Sequence, residues 1–442
     1  RRKEPSVSQV PVIVLVLAVF ALVVFATTRK VHLGLAAAAG GVAFALLRGL
    51  SLRQTLGAAA GELFDPDTLL LVLLVMCIMA FSAAMKKGGA LAEFQAAVSA
   101  LAPEPRAAMI AAPLLIGTLP MPGGAILSAP LVDSLDPERR YGAEALSTAN
   151  YWFRHGLELL WPLYPAFILA AGMTGFGMGK QALLNWYALP AVIALGWFFV
   201  LRPAKGGKHP DATPRPPAGE RLRVIARGLA PLAAVLGAYI VLALAIGALA
   251  PALALEGQAK ALVSRYVPIF SGLALGALLL RVRAKSWKPF AGSFNPHTLS
   301  LAFVIAGILV FSALLEAGDA AAASAAELAA AGIHPLVACA VLPLVAGLVT
   351  GVGFGYVGLA YPIVLGLFPQ GGEFPREAAV VIAGAFGWAG MMLSPLHVCM
   401  VVTAEHFGTG LFAMIRRFAL PLAAYLTVAM AYAAVLAKAM GQ

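Results

Sequence analysis

Arg154, His155 and Glu158 crowd into one otherwise apolar stretch, NYWFRHGLELLWPLYP (150–165). Arg154 and Glu158 are four residues apart and His155 and Glu158 three, so on a helix they share a face. A charge inside hydrocarbon is costly and marks a functional position unless it merely orients a helix end. Two kinds of chemistry suit this group. A guanidinium holds an anionic group through paired donors. A carboxylate beside an imidazole takes up and passes on a proton, because histidine titrates near neutrality. A second stretch, SPLHV (394–398), offers Ser394 and His397 beside a proline, and Tyr164 of WPLYP (161–165) stands opposite His397 when the two are aligned.

Two glycine/proline clusters add backbone chemistry. TLPMPGGA (118–125) holds Thr118, Pro120, Pro122, Gly123 and Gly124, with Ser128 just beyond. TGVGFGYVG (350–358) holds Thr350, Gly351, Gly353 and Gly355. Neither cluster sustains a helix. In a bilayer, non-helical backbone is tolerated only where it is buried in protein or lines a polar cavity. Helix N-termini there attract anions and unwound carbonyls attract cations, so Na⁺ at these tips is the one metal expected. The second cluster looks like a phosphate loop, but no strand precedes it and no Lys follows. There is no HExxH and no GxSxG elbow, so no hydrolytic reaction is specified and the chain reads as a non-enzyme without a cofactor. Cys77, Cys339 and Cys399 show no metal-site spacing and read as small buried hydrophobes.

The elements that must position these residues follow from composition. The chain has 442 residues, 61% hydrophobic and only 12% charged. A soluble domain carries about 25% charged residues, so a water-facing surface cannot be built and a polytopic, all-α membrane protein remains. The net charge of +11 sits in short segments between apolar runs, the pattern of topology signals rather than of a nucleic-acid surface. Apolar runs near 10–27, 31–48, 68–86, 181–201, 228–249, 260–281, 298–316 and 411–437 suit spans of about 20 residues. Runs 144–175 and 376–407 are interrupted by Pro and ionisable residues and read as broken helices, giving about ten spans. Runs 106–135 and 335–367 are interrupted in the middle and read as re-entrant hairpins. Stretches 88–101 and 321–333 read as interfacial helices. Segment 202–227, with Arg202, Lys205, Lys208, Arg215, Arg221, Arg223 and Arg227, reads as a basic cytoplasmic linker.

The two halves repeat each other. FDPDTL and AFSAAMKKGGA in 64–90 match FNPHTL and VFSALLEAGDA in 294–320. Pro66/Pro296, Thr68/Thr298, Phe81/Phe311, Ser82/Ser312, Gly88/Gly318, Pro113/Pro343 and Gly117/Gly347 keep one offset, and Pro162/Pro395 nearly so. Each half (1–201 and 228–442) then holds five spans and one hairpin. An odd number of crossings makes the second copy inverted, the layout of secondary transporters with a midplane site.

GTLPMPGG, GLVTGVGFG, RHGLELLWPLYP and GMMLSPLHVC resemble an uncharacterised prokaryotic family of integral membrane proteins. That family is grouped with the ion transporter superfamily, beside divalent anion/sodium symporters, arsenite permease-like proteins and sodium/proton antiporters. The resemblance covers about residues 60–440. It implies inverted repeats with hairpins and broken helices, a homodimer held by a scaffold region, and elevator-type alternating access. The Ser-Asn-Thr hairpin motifs of dicarboxylate symporters are absent, so dicarboxylate specificity and sodium coupling do not carry over. The expected function is secondary transport of a small anionic solute across the cytoplasmic membrane, coupled to H⁺ or Na⁺. Arg154 would bind the anion, and Glu158, His155 and His397 the proton. A cation/proton antiporter and a lipid carrier or lipid-modifying enzyme are the alternatives. The expected partners are the solute and membrane lipid, with no nucleic acid.

Overall fold

The computed structural model describes residues 10–101, 104–119, 124–136, 138–204, 217–249 and 256–440. These residues are overwhelmingly helical, with no strand among them. The first half runs α1 (Val12–Thr28), α2 (Leu33–Leu47), α3 (Leu52–Leu63), α4 (Pro66–Lys87), α5 (Ala90–Leu101), α6 (Pro105–Ile116), α7 (Ala125–Ser134), α8 (Ala143–Arg154), α9 (Pro165–Thr174), α10 (Met178–Leu184) and α11 (Ala188–Gly196), the last continuing into a π-turn. The second half runs α12 (Ala218–Leu249), α13 (Gly257–Ala284), α14 (Pro296–Ala317), α15 (Ala320–Ala330), α16 (Pro335–Thr350), α17 (Gly353–Leu367), α18 (Arg376–Leu393), α19 (Val398–Phe407) and α20 (Leu411–Met440). Seven segments among the described residues are long and apolar enough to cross a bilayer: α4, α10–α11 with its π-turn, α12, α13, α14, α18 and α20. The protein is a multi-pass, all-α membrane protein.

Several expected boundaries shift. The runs 10–27 and 31–48 form apolar helices of 17 and 15 residues, the first at the lower end of a span's length and the second just under it. The basic segment 202–227 is not wholly a linker. α12 begins at Ala218, so Arg221, Arg223 and Arg227 ride on its first turns; Glu220 lies in the first turn, where it complements the helix dipole. Lys205, Lys208 and Arg215 lie outside the described residues. α3 had no counterpart in the reading of apolar runs. A capping box starts it, with Gln54 N donating to Ser51 Oγ and Ser51 N to Gln54 Oε1.

Helix starts repeat with the sequence. α4 begins with Asp65 accepting from Asp67 N, and Pro66 fills the first turn, where no N–H is needed. α14 begins with Asn295 accepting from His297 N and Thr298 N, followed by Pro296. The helix pairs α4/α14, α5/α15, α6/α16, α7/α17, α8/α18 and α9/α19 follow one another in the same order. α4 and α14 run antiparallel. Lys87 at the end of α4 donates to Ala291 O just before α14, 2.7 Å away, while Glu62 and Asp65 before α4 share a cavity with Glu316 near the end of α14.

The core lies where the interrupted elements meet. α16 and α18 cross with backbones touching: a Cβ on Gly347 would strike the Gly387 carbonyl, and one on Gly390 the Leu344 carbonyl. Small residues are the usual means of such an approach in membranes. From Ala145 to Arg154 every residue of α8 is buried, and α18 is buried nearly throughout. The buried residues of α8 include Ser147, Thr148, Asn150 and Arg154, so its polar side chains face protein rather than lipid.

Candidate functional site

α8 ends at Arg154, and residues 155–164 form turns before α9 starts at Pro165. α18 ends at Leu393, and 394–397 separate it from α19. Proline at 162, 165 and 395 withholds the N–H a continuous helix needs. The two breaks are tied to each other. Tyr151 Oη donates to Met392 O at 3.0 Å, and Trp388 Nε1 to His155 O at 3.1 Å.

Arg154 is 2% exposed. Its Nη1 donates to Tyr164 Oη at 2.8 Å. The guanidinium also lies against Gly124, the residue preceding α7, where a Cβ would collide with it. Its Nε has no hydrogen-bond partner among the described residues. A buried guanidinium with spare donors is ready to receive an acceptor.

His155 and His397 face each other, both buried. His155 Nδ1 is 2.8 Å from Tyr151 O, and His397 Nδ1 contacts Gly351 O. Carbonyls only accept, so each Nδ1 donates its proton there and each Nε2 is left to face the other ring. The two Nε2 atoms are 2.9 Å apart. Glu158 Oε1 is 3.9 Å from His155 Nε2. Cys399 completes the group: its Sγ and the two imidazoles offer donor atoms all within 4.8 Å of one another.

A cavity of about 290 Å³ opens beside these residues. One wall is Arg154, His155, Glu158 and Tyr164; another is Gly351, Val352 and Gly353 of the second tip with His397 and Cys399; Met79, Leu301, Phe354 and Met391 are apolar. Gly351 has φ 64°, the left-handed region that lets α16 stop and its carbonyl reach His397.

Of the residues singled out in the sequence, Arg154, His155, Glu158, Tyr164, Gly351, Gly353 and His397 line this cavity. Gly124 reaches it through Arg154. Ser394 is buried beneath it, its hydroxyl accepting from Leu396 N. Thr350 turns its hydroxyl back to Ala346 O, and Gly355 packs on Thr350. Thr118 donates to Leu115 O while its own carbonyl accepts from Trp161. Ser128 is fully buried away from the cavity. Pro120, Pro122 and Gly123 lie outside the described residues. Cys399 was missed, as was His297, which lines the cavity from the start of α14. The signal for Cys399 was present: it stands two residues beyond His397, at a helix break.

The family described as "Protein of unknown function (DUF401)" matches residues 11–270 and 284–437. The chain belongs to that family. No curated protein matches it. Among solved structures it is similar to the YdaH transporter of Alcanivorax borkumensis, described as having an unusual topology, with TM-score 0.58 and 15% identity over 88% of this chain and 89% of that one. It is also similar to MtrF of Neisseria gonorrhoeae, described as illuminating a class of antimetabolite efflux pumps, with TM-score 0.54 and 16% identity over 88% of this chain and 84% of that one. At these identities the likeness is one of fold.

Proposed function

We propose that this protein is a secondary active transporter of the cytoplasmic membrane that carries a small organic anion in exchange or symport with a cation. The observation that carries this reading is the cavity of about 290 Å³ walled by the interrupted elements of both halves, with buried Arg154 on one side and apolar residues on the other. Its volume is at the small end of ligand pockets. The guanidinium supplies charge recognition, and Met79, Leu301 and Phe354 accept a short apolar body. A buried guanidinium that makes no direct ion pair among the described residues, with Glu158 as its nearby acidic neighbour, favours an anionic ligand. The antiparallel run of α4 and α14 supports two inverted copies, whose relative movement would open the cavity to each side in turn. The elevator form of that movement, a scaffold that pairs two protomers, and a place in the ion transporter superfamily belong to the same proposal.

The coupling cation in this reading is H⁺, received by the His155–His397–Glu158 group. Two inward lone pairs 2.9 Å apart repel unless a positive charge lies between them. Na⁺ at the second tip is less favoured, since the Gly351 carbonyl already accepts from His397 and the Thr350 hydroxyl donates to Ala346 O and Val352 O. A cation/proton antiporter is the second reading, favoured by a separate acidic cavity of about 550 Å³ containing Glu62, Asp65, Asp67 and Glu316. Purified protein in proteoliposomes separates the two. Uptake of a small carboxylate or phosphonate under an imposed pH gradient supports the first; a Na⁺-triggered collapse of that gradient with no anion present supports the second and contradicts the first.

A further inference from the structure

The geometry points to a Zn²⁺ site where the breaks of the two halves meet, with His155 Nε2, His397 Nε2 and Cys399 Sγ as ligands and Glu158 as the fourth. The three donor atoms already lie within 4.8 Å of one another, all on buried residues. With Zn–N near 2.05 Å and Zn–S near 2.3 Å, tetrahedral coordination needs N···N of about 3.3 Å and N···S of about 3.6 Å. The observed N···N is 2.9 Å, so the rings part by a few tenths of an ångström. The Glu158 carboxylate, 3.9 Å from His155 Nε2, closes by about as much.

A second observation, independent of this clustering, concerns the far side of each ring. Ligating histidines almost always pass their other N–H to a carbonyl or carboxylate, which fixes the tautomer and aims the lone pair at the metal. Both rings do so here, His155 onto Tyr151 O and His397 onto Gly351 O. The charge also closes. A dication held by one thiolate and one carboxylate leaves a neutral centre, the state a low-dielectric interior tolerates best. Nitrogen and sulfur donors favour Zn²⁺ over Na⁺, Mg²⁺ or Ca²⁺. Binding releases the Cys399 thiol proton to water.

The site itself stands on geometry alone; its effect on solute movement rests on the transport reading above, because Zn²⁺ occupies the place assigned there to the coupling proton. The test uses purified full-length protein, first with Co²⁺ as a spectroscopic probe and then with Zn²⁺. The expected result is one Co²⁺ per chain with a thiolate charge-transfer band and the strong visible absorption of tetrahedral Co²⁺, displaced by Zn²⁺. Cys399→Ser and His397→Gln should each weaken binding by more than about 100-fold, since even outer-shell changes cost 10–100-fold. Cys77→Ser and Cys339→Ser, which change thiols elsewhere in the fold, should leave it unchanged. Absence of the thiolate band, or equal binding by Cys399→Ser, overturns the site. In proteoliposomes, Zn²⁺ should slow uptake by the wild type and equally by Cys77→Ser and Cys339→Ser, over the concentrations that displace Co²⁺. Normal uptake together with a failure to bind either Co²⁺ or Zn²⁺ overturns the metal site alone. Binding with no effect on uptake leaves the metal site standing and overturns the transport reading of this cavity.

Discussion

Among the described residues Arg154 donates to one neutral hydroxyl, lies against Gly124 with Glu158 nearby, and keeps its Nε without a partner. Arg154→Gln should therefore abolish anion-dependent stabilisation of the purified protein while leaving its apo melting temperature within a few degrees, because a buried charge has been replaced by a buried amide. Tyr164→Phe removes a hydrogen bond to a charged group, which is worth about 1.5–3 kcal/mol. It should weaken anion affinity by an order of magnitude or more, measured by titration of the same melting shift. Glu158→Gln keeps the shape of the side chain and loses its charge. It should leave the protein folded and abolish the acceleration of uptake by a pH gradient; normal coupling in vesicles carrying it would end the role assigned to Glu158. Most of these residues were legible in the sequence because ionisable groups are rare in apolar runs and so stand out singly. Cys399 was passed over although it stands two residues beyond His397. Cysteine is common among buried residues, and only the fold brings it, across a separation of more than 200 positions, to His155.

At the scale of the element, the break between α16 and α17 is the part most sensitive to small changes. A Cβ on Gly351 would come within 3.0 Å of His397 N and of Ser394 Oγ, and φ at this position is 64°. The left-handed conformation costs a non-glycine residue roughly 1–2 kcal/mol. Gly351→Ala should lower the melting temperature by several degrees and disturb His397. Gly351→Asn relieves only the conformational part of that penalty, so its effect separates strain from crowding. α3 supplies a different test. Glu62, outside the spanning helices, is held above the usual carboxyl range, first by burial and then by Asp65, Asp67 and Glu316, although Thr68 donates to it. The folded state then keeps a proton that the unfolded chain has released. Stability from this group is fully present below the ordinary glutamate value of about 4.3 and is lost as pH rises through the raised folded value. Glu62→Gln should flatten that decline, seen as a melting temperature less dependent on pH above the ordinary glutamate value. The long elements and their interruptions could be read from hydropathy and proline. α3 could not, because an amphipathic helix of twelve residues leaves no apolar run; its Ser51/Gln54 capping box was the available sign. The start of α12 was misplaced because charge, taken as a loop signal, also suits the first turns of a helix that emerges from the bilayer.

For the whole molecule, the repeated caps at Asp65–Pro66 and Asn295–Pro296 and the antiparallel packing of α4 on α14 place equivalent residues at opposite ends of the helix pair. Single cysteines introduced at Asp65 and Asn295 in a background free of Cys77, Cys339 and Cys399 should react with a membrane-impermeant maleimide from opposite sides of oriented vesicles. The repeat itself was visible in the sequence because prolines, glycines and threonines kept their spacing while the apolar residues between them drifted. The repeat layout led to the expectation that both breaks share one midplane site; the pairing of His155 with His397 across them was not visible in the sequence. The central claim is that this cavity receives an anion on Arg154. It is tested most directly by a structure of the purified protein with the small organic anion that most raises its melting temperature. The account predicts an anionic group within hydrogen-bonding distance of the Arg154 guanidinium, its apolar body against Met79 and Phe354. Density for that anion anywhere else, with the Arg154 side of the cavity unoccupied, would contradict it.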